Sequence, residues 1–250
     1  MFGYAGKILH VDLTNGTIEI EEPAEELYRT YLGGSALGMY YLLKSTPAGA
    51  DPLGPENTMA FMLSGVTGAP VAGQSRCTVV AKSPLTGMLG SANMGGFFAP
   101  EMAWAGFHHL VIKGKAKNPA YIYIHNGEIA IRDARDIWGQ SVTDAQWAIR
   151  QEMGDEEVKS CVCGPAGENM VRFANVMTGI KNSADRTGMG CIMGSKNLKA
   201  VVAYGGGEVR ASDRQRLRDM QQAMVPLIDG TPAPPERLEQ LQAQGNLSEE

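Results

Sequence analysis

The chain has 250 residues, a formal net charge of −5 and 44% hydrophobic residues, and this length suits one large domain or two small ones. The composition excludes disorder over the bulk of the chain, and the acidic balance argues against nucleic acid or an anionic membrane surface as the main partner. No apolar run reaches the roughly 20 residues of a membrane span, and the N-terminus lacks a signal-peptide pattern. Its four cysteines are too scattered for a secreted disulfide framework. These features predict a cytoplasmic protein without a membrane span.

The first half of the chain begins with a β-hairpin pattern. Apolar and polar residues alternate over 7–13 and 17–21, and Asn15-Gly16 between them is typical of a type I′ turn. The elements predicted next are helices at 24–32 and 36–43, strands at 59–63 and 76–80, a glycine-rich loop at 93–96, a helix at 99–105 and a strand at 110–113.

The second half repeats this order. Its hairpin pattern surrounds Asn126-Gly127, and Thr143 with Gln146 predicts a capping box at the start of the next helix. The other elements predicted here are strands at 121–124 and 128–132, a helix at 143–153, strands at 158–162 and 172–176, a glycine-rich loop at 185–190, a helix at 193–198 and a strand at 200–203. The repetition predicts an internally duplicated α+β fold with two β-sheets and flanking helices, whose halves, about 1–115 and 116–208, are related by a pseudo-twofold axis.

Residues 209–250 differ from the rest in composition. Ser212 is a suitable N-cap for a helix with one apolar face, prolines at 232–235 interrupt the pattern, and a second short helical stretch reaches Gly245. The apolar residues on that face are Leu217, Met220, Met224 and Leu227. We interpret this segment as the truncated start of a following helical domain.

The two glycine-rich loops are the strongest candidates for a ligand site. Glycines let backbone N–H groups approach a ligand, and the helix after each loop adds the positive end of its dipole, so each loop suits a phosphate. A tight corner is the alternative for either loop alone, but two loops at equivalent places favour a ligand with two similar anionic ends. Arg186 lies inside the second loop. Arg76, at the start of a strand, suits either a bound anion or a surface ion pair.

Other motifs do not predict a site. Residues 194–196 carry the serine and lysine of a P-loop in the wrong order, and no dinucleotide-binding fingerprint is present. We expect Cys161 and Cys163 to be small buried side chains, since such a role is far more frequent than metal binding for isolated cysteines. The adjacent pair His108 and His109 has no third ligand at a suitable spacing. The residues alone therefore predict a duplicated domain that cradles a symmetric anionic ligand.

Five segments point to a particular family. They occur at 58–68, 82–87, 92–98, 164–169 and 190–200. In this order they resemble the N-terminal domain of the aldehyde:ferredoxin oxidoreductase family, and the resemblance covers about 3–207. It implies a tungsten-dependent oxidoreductase that converts aldehydes to carboxylic acids, with ferredoxin as the electron acceptor.

The resemblance also implies a cofactor and its contacts. Tungsten, or molybdenum, is held by two pterins, and a magnesium ion bridges the pterin phosphates through the backbone carbonyls of Asn93 and Ser183. Arg76 matches an arginine between the pterin and an iron–sulfur cluster, on a plausible electron path. The other residues implied to contact the cofactor are Met94, Gly95, Gly96, Ala184, Asp185, Arg186, Gly188 and Gly190.

This chain departs from the family in two ways. Asn182-Ser183 stands where many relatives carry Arg-Ala, which weakens one expected phosphate contact, and the cysteines that bind the family's 4Fe-4S cluster are absent. The cluster, the remaining pterin contacts and the acid/base residues are therefore expected on downstream helical domains or on a separate chain. Expected partners are ferredoxin or a ferredoxin-like subunit, with a homodimer also possible. A non-catalytic pterin-domain fragment or cofactor-handling module, and a tungsten-containing benzoyl-CoA reductase subunit, stay open as alternatives.

Overall fold

The structure is a computed structural model that describes residues 1–228. The strands are β1 (Ile8–Asp12), β2 (Thr17–Glu21), β3 (Met59–Met62), β4 (Cys77–Lys82), β5 (Leu89–Met94), β6 (His109–Lys113), β7 (Ala120–His125), β8 (Glu128–Asp133), β9 (Lys159–Cys163), β10 (Val176–Thr178), β11 (Asn182–Ala184) and β12 (Leu198–Tyr204). The helices are α1 (Glu25–Tyr31), α2 (Gly34–Ser45), α3 (Phe98–Trp104), α4 (Val142–Met153), α5 (Pro165–Glu168), α6 (Met189–Ser195) and α7 (Arg214–Ile228).

Two six-stranded sheets share one topology. The first has the order β2-β1-β6-β3-β4-β5, and the second has the order β8-β7-β12-β9-β10-β11. The pairs β1/β6 and β7/β12 are parallel, and the other neighbours are antiparallel. Each strand of the first sheet thus has its counterpart six strands later in the chain. The predicted duplicated α+β fold with two sheets is confirmed.

The inner faces of the two sheets share one apolar core. Phe61 and Val79 of the first sheet and Ile122 and Val201 of the second belong to it. Helix α3 packs against β9 and β12 of the second sheet, while α6 packs against β4 of the first. Because each half sends a helix onto the other half's sheet, the two halves are packed as one unit, made of residues 1–69 and 74–210.

Helices also cover the outer faces of the sheets. Tyr28 and Leu37 of α1 and α2 pack on the first sheet, and Ile149 of α4 packs on the second. Along β9, Cys161 and Cys163 face the shared core, while Val162 between them faces α4, as the alternation of a strand requires. All four cysteines are buried and unpaired.

The two hairpin turns differ. Asn126 and Gly127 have φ angles of +46° and +88°, as the predicted type I′ turn requires. The first hairpin instead has a four-residue turn over 13–16, in which Asn15 lacks a positive φ. Asp12 Oδ1 accepts hydrogen bonds from the N–H groups of Thr14 and Asn15 at 2.9 and 3.3 Å. The type I′ prediction for Asn15-Gly16 is wrong, because this aspartate stabilises a longer turn.

Several other predictions need correction. The strand predicted at 172–176 begins only at Val176, because residues 172–173 form a turn. The N-cap of α4 is Ser141, whose Oγ accepts from the N–H of Asp144 at 3.2 Å. The capping box of Thr143 and Gln146 does not form, since the Gln146 amide is bonded to the backbone of Gly179 instead.

The glycine-rich segments also differ from the prediction. Strands β5 and β11, which lead into the two segments, were not predicted. Helix α6 begins at Met189 rather than at 193, so the last part of the predicted 185–190 loop is helical. The second loop is correspondingly shorter than its sequence pattern indicates.

The described part of the second unit, residues 70–73 and 211–228, contains α7. Asp213, not the predicted Ser212, caps this helix, since its Oδ1 accepts from the N–H of Arg216 at 2.9 Å. Met220 on the predicted apolar face is 50% exposed. The side chain of Leu227, the prolines at 232–235 and the stretch predicted to reach Gly245 lie outside the described residues. Across 1–228, no helix has the length and apolar character needed to cross a membrane.

Candidate functional site

The two glycine-rich segments begin on matching edge strands. β5 is the edge of the first sheet and β11 is the edge of the second, and the two strands contact each other. Asn93 is the penultimate residue of β5, and Ser183 is the penultimate residue of β11. An edge strand has one side whose N–H and C=O groups are not used by its own sheet. Backbone groups with hydrogen-bonding capacity therefore meet where the duplicated halves join.

Asn182 of the second half lies directly against Gly95 and Gly96 of the first. A Cβ built on Gly95 would lie 3.0 Å from Asn182 Oδ1 and 3.6 Å from Arg76 Nη1. A Cβ on Gly96, which has a φ of +87°, would lie 3.2 Å from Asn182 Nδ2. Any side chain at Gly95 would thus enter the space between Arg76 and Asn182. The absence of a side chain keeps this cradle open.

The second loop is also tied to the first half. Ser83 Oγ donates a hydrogen bond to the carbonyl oxygen of Thr187 at 2.8 Å. A Cβ on Gly90 would lie 2.9 Å from both Thr187 and Met189. The structure therefore brings the chain around Met94 and the chain around Met189 to the same junction rather than to separate surfaces.

The residues predicted to contact a cofactor differ in their exposure to solvent and fall into three groups. The exposed ones are Arg76, Asn93, Asp185 and Arg186; the half-buried ones are Gly95, Gly96 and Ser183; the buried ones are Met94, Ala184, Gly188 and Gly190. The first two groups can present side chains or backbone to a ligand at the junction. The buried group supports the backbone beneath it.

Gly188 and Gly190 have a packing role. A Cβ on Gly188 would lie 2.0 Å from the carbonyl oxygen of Arg172, and one on Gly190 would lie 2.3 Å from that of Asn175. The N–H of Gly190 donates to the carbonyl oxygen of Ala174 at 2.9 Å, so it is already used. These glycines allow α6 to lie against the turn that precedes β10.

The local sequence does not indicate that Thr78 and Cys161 lie beside the site. Thr78, 7% exposed on β4, donates from Oγ1 to Asn93 Oδ1 at 2.7 Å and holds the Asn93 amide. Cys161 Sγ lies 3.8 Å from Met94 Sδ. Burial raises the pKa of the Cys161 thiol well above its ordinary value, so this side chain packs as a neutral thiol under the junction.

A cavity of about 230 Å³ opens beside Gly96 and Asn182. Arg150 of α4 and Lys159 of β9 line it, and Lys159 Nζ lies 3.2 Å from Glu157. Sequence reasoning missed both cations, because only the packing of α4 and β9 brings them beside a loop that is distant in the chain. Arg150 and Arg76 thus bring positive charge close to the junction of an acidic chain, while the charge of Lys159 is paired with Glu157.

Side chains of the described chain do not group into a metal site. Within residues 1–228, no cluster of three His, Cys, Asp or Glu side chains could hold a metal ion. The magnesium that the family resemblance implies would use backbone carbonyl oxygens instead, which hard cations accept as ligands. The matching positions of Asn93 and Ser183 on adjoining edge strands fit such an arrangement.

Comparisons with known proteins agree with this organisation. The family model of the aldehyde ferredoxin oxidoreductase N-terminal domain matches residues 8–205. The tungsten-containing aldehyde ferredoxin oxidoreductase of Pyrococcus abyssi is 44% identical over 220 residues, which is 88% of this chain and 36% of that protein. An aliphatic sulfonate oxidoreductase, WOR-like subunit, of Pyrococcus furiosus is 34% identical over 235 residues, covering 87% of this chain and 37% of that one.

A solved structure has a similar fold. The active-site complex BamBC of benzoyl coenzyme A reductase, in complex with 1,5-dienoyl-CoA, matches with a TM-score of 0.87 and 32% sequence identity. The match covers 91% of this chain and 35% of that chain. This chain therefore spans about a third of the length of the relatives it matches. With the family model covering most of its residues, the chain belongs to the aldehyde ferredoxin oxidoreductase family and corresponds to the N-terminal domain of that family.

Proposed function

We propose that this chain holds a tungsten, or molybdenum, bis-pterin cofactor at the junction of β5 and β11. It does so as part of a cytoplasmic oxidoreductase that converts aldehydes to carboxylic acids. The observation that carries the proposal is the matching placement of Asn93 and Ser183, on edge strands that meet at the join of the duplicated halves. Because the two halves of the fold supply equivalent segments to the junction, the site suits a ligand with two similar anionic ends. The names of the tungsten-containing relatives support the metal and the reaction.

The residues at the junction fit such a group. Gly95 leaves an open cradle between Arg76 and Asn182 that any side chain would fill. The backbone around 93–96 and 183–186 would hold the two phosphates, and the carbonyl oxygens of Asn93 and Ser183 would serve as ligands of the magnesium ion. Arg76 and Arg186 are both exposed cations and would attract the phosphate charge.

The chain's own residues bind and orient, because the bound cofactor would supply the redox chemistry at the metal. Asn182 offers a hydrogen-bonding amide without charge, so the positive charge at the second loop comes from Arg186. Thr78 holds the Asn93 side chain through its 2.7 Å hydrogen bond, which leaves the Asn93 backbone in a fixed position. The 4Fe-4S cluster, the acid/base residues and the contact with ferredoxin, or with a ferredoxin-like subunit, would lie in the two-thirds of the relatives that this chain does not span.

Cofactor loading tests this proposal. The chain is produced in tungstate medium together with the remaining segments of a relative, and tungsten and extracted pterin are measured per protein. We expect both to co-purify, and we expect Arg76→Gln to lower both contents. Arg135→Gln is the matched control, because Arg135 is an exposed arginine paired with Asp133 on the second half. Equal loading of the two variants, or a complex without tungsten and pterin, contradicts the proposal.

A reductase of the benzoyl coenzyme A type is a second candidate, favoured by the structural match with a TM-score of 0.87. The loaded complex separates the two reactions. Aldehyde-dependent reduction of an electron-accepting dye supports the first, and dye-dependent turnover of 1,5-dienoyl-CoA supports the second. A loaded complex with neither activity indicates a non-catalytic, cofactor-handling module.

A further inference from the structure

The side-chain amide of Asn93 is held in one orientation by Thr78. Thr78 is 7% exposed, and its Oγ1 donates a hydrogen bond to Asn93 Oδ1 at 2.7 Å. Among residues 1–228, this amide oxygen is the only acceptor that the Thr78 hydroxyl has. Turning the amide over would leave the hydrogen of a buried hydroxyl without an acceptor, which is costly. Asn93 Oδ1 therefore points towards β4, and Nδ2 points away from it.

The Nδ2 group of Asn93 is available to a ligand. Asn93 is exposed at the end of β5, and within the described chain its Nδ2 has no hydrogen-bond partner. An exposed amide normally turns freely and loses that freedom when a ligand binds. The hydrogen bond from Thr78 has already removed this freedom, so Asn93 presents two N–H groups in a fixed direction at little further cost.

A cation lies close to this donor. Cys77 pairs with Met94 in the β4/β5 ladder, and Arg76 directly precedes that pair. Arg76 Nη1 lies 3.6 Å from the position of a Cβ built on Gly95, and Gly95 is two residues beyond Asn93, about 7 Å along an extended chain. The Arg76 guanidinium makes no ion pair with the residues that the structure describes. A free cation and an oriented amide are thus near neighbours, and a phosphate has enough acceptor oxygens to bond to both.

The second half has no counterpart of this arrangement. Ser183 occupies the position on β11 that Asn93 occupies on β5, and its partner in the ladder is Met177, where the first sheet has Thr78. A methionine sulfur cannot donate a hydrogen bond, so Met177 cannot orient a neighbour as Thr78 does. The two segments of the junction are therefore alike in backbone and different in the side chains they present.

We propose that the Asn93 side chain donates a hydrogen bond to the phosphate group held by the 93–96 segment, and that Thr78 is the residue that positions it. Arg76 supplies the positive charge beside it. This inference rests on the proposed function, because the phosphate of the cofactor is the group that accepts the bond. It adds a side-chain contact to the backbone contacts and assigns the tighter grip to the first of the two phosphates.

Inorganic phosphate is the probe for the 250-residue chain. It is titrated while NMR follows the N–H signals of Gly95 and Gly96, and we expect these signals to shift and saturate. Asn93→Ala weakens binding about tenfold, because a hydrogen bond to a charged acceptor is lost. Asn118→Ala, which removes an exposed asparagine between β6 and β7, is the matched control and leaves the affinity unchanged.

Variants of Thr78 test its positioning role. Thr78→Val removes the hydroxyl, and we expect binding to weaken about threefold because the amide must then be ordered by the ligand. Thr78→Ser keeps the hydroxyl and restores the affinity to within about twofold. In the Asn93→Ala background, Thr78→Val has no further effect, since Thr78 acts through Asn93. Thermal melts of each variant confirm that the fold is retained.

The loaded complex separates this inference from the proposed function. When the unmodified chain loads tungsten and pterin, we expect Asn93→Ala to lower the pterin content and Asn118→Ala to leave it unchanged. Full pterin content in Asn93→Ala, phosphate affinity unchanged by Asn93→Ala, or an undiminished effect of Thr78→Val in the Asn93→Ala background overturns the inference and leaves the proposed function standing. Failure of the unmodified chain to load contradicts the proposed function, and the phosphate titration then decides the role of Asn93 by itself.

Discussion

Gly95 and Asn182 come from different halves of the chain, and a Cβ built on Gly95 would lie only 3.0 Å from Asn182 Oδ1. Gly95 directly follows β5, and Asn182 is the first residue of β11. The close approach therefore brings the edge strands of the two sheets together. It places Arg76 Nη1 within 3.6 Å of the same point. The space at Gly95 is therefore bounded by a cation and an amide, and a side chain at this position would fill it.

Gly95→Ala is expected to lower the tungsten and pterin content of the loaded complex with little loss of stability. The added methyl enters the cradle and presses on the Asn182 amide. Gly164→Ala is the control, since its Cβ would lie equally close, 3.0 Å, to Val142 Cγ2 away from the junction. Neither glycine has a positive φ. Metal analysis and thermal melts of both variants check this, and equal loading of the two would contradict it.

Gly190→Ala is expected to destabilise the protein by about 1–3 kcal/mol or more, because overpacking against fixed backbone forces the chain to shift. Its Cβ would lie 2.3 Å from the carbonyl oxygen of Asn175. Gly206→Ala is the comparison, because the nearest atoms to its Cβ are 3.9 Å away. Urea unfolding of both variants measures the difference. If Gly190→Ala is as stable as Gly206→Ala, the packing role assigned to Gly190 is wrong.

Lys196 gives a prediction for alkaline pH. Its Nζ is buried and donates to the carbonyl oxygens of Pro55 and Gly114 at 3.3 and 3.1 Å, which joins the two halves. Burial lowers the pKa of Lys196 from 10.5 to about 8. Between these values the unfolded chain binds more protons than the folded chain, so the contribution of this group to stability rises with pH.

The Lys196→Met variant loses this dependence. The difference in unfolding free energy between the unmodified chain and the variant should therefore shift in favour of the unmodified chain from pH 8 towards pH 10, by up to about 3 kcal/mol over the full window. Denaturant titrations at pH 7, 8.5 and 10 measure it. A difference that is flat with pH would show that burial does not lower the pKa of Lys196 in the folded chain.

His108 and His109 give a prediction of the same sign at acid pH. Burial lowers the pKa of His108 to about 4 and that of His109 to about 3, from 6.5. As pH falls below 6.5 the unfolded chain takes up protons that the folded chain does not, so stability is lost from that point downward. His109→Phe keeps the ring that stacks on Tyr28 at 5.7 Å and removes one of the two protons.

The His109→Phe variant should lose stability less steeply between pH 6.5 and pH 4. It should also be more stable at pH 7, because both His109 nitrogens are buried without a partner among the described residues. Unfolding free energies of the variant and the unmodified chain, measured from pH 7 to pH 4, test both expectations. An identical acid profile would show that the pKa of His109 is not lowered in the folded chain.

Local chemistry explains which elements the sequence predicts well. Asn126-Gly127 forms its type I′ turn because both residues tolerate a positive φ and nothing nearby competes. At Asn15-Gly16 the same dipeptide follows Asp12, and the aspartate stabilises a longer turn. Ser141 and Thr143 are both capping residues, and a single sequence does not separate them when they lie two positions apart.

The missed elements depend on contacts that are distant in the chain. β5 contains Gly90, Ser91 and Asn93 and has little strand propensity of its own; its pairing with β4 makes it a strand. The glycine-rich sequence around Gly190 is typical of a loop. In the structure, Gly190 packs closely against Asn175 and lies inside α6. The junction itself exists only because two edge strands meet, which no local pattern specifies.

A tungsten-edge anomalous diffraction map of the loaded complex tests the central claim most directly. The account predicts a single metal peak in front of the junction, with phosphate density at both the 93–96 and the 183–186 segments and magnesium between the carbonyl oxygens of Asn93 and Ser183. A metal peak remote from these strands, or phosphate density at one segment alone, would contradict it.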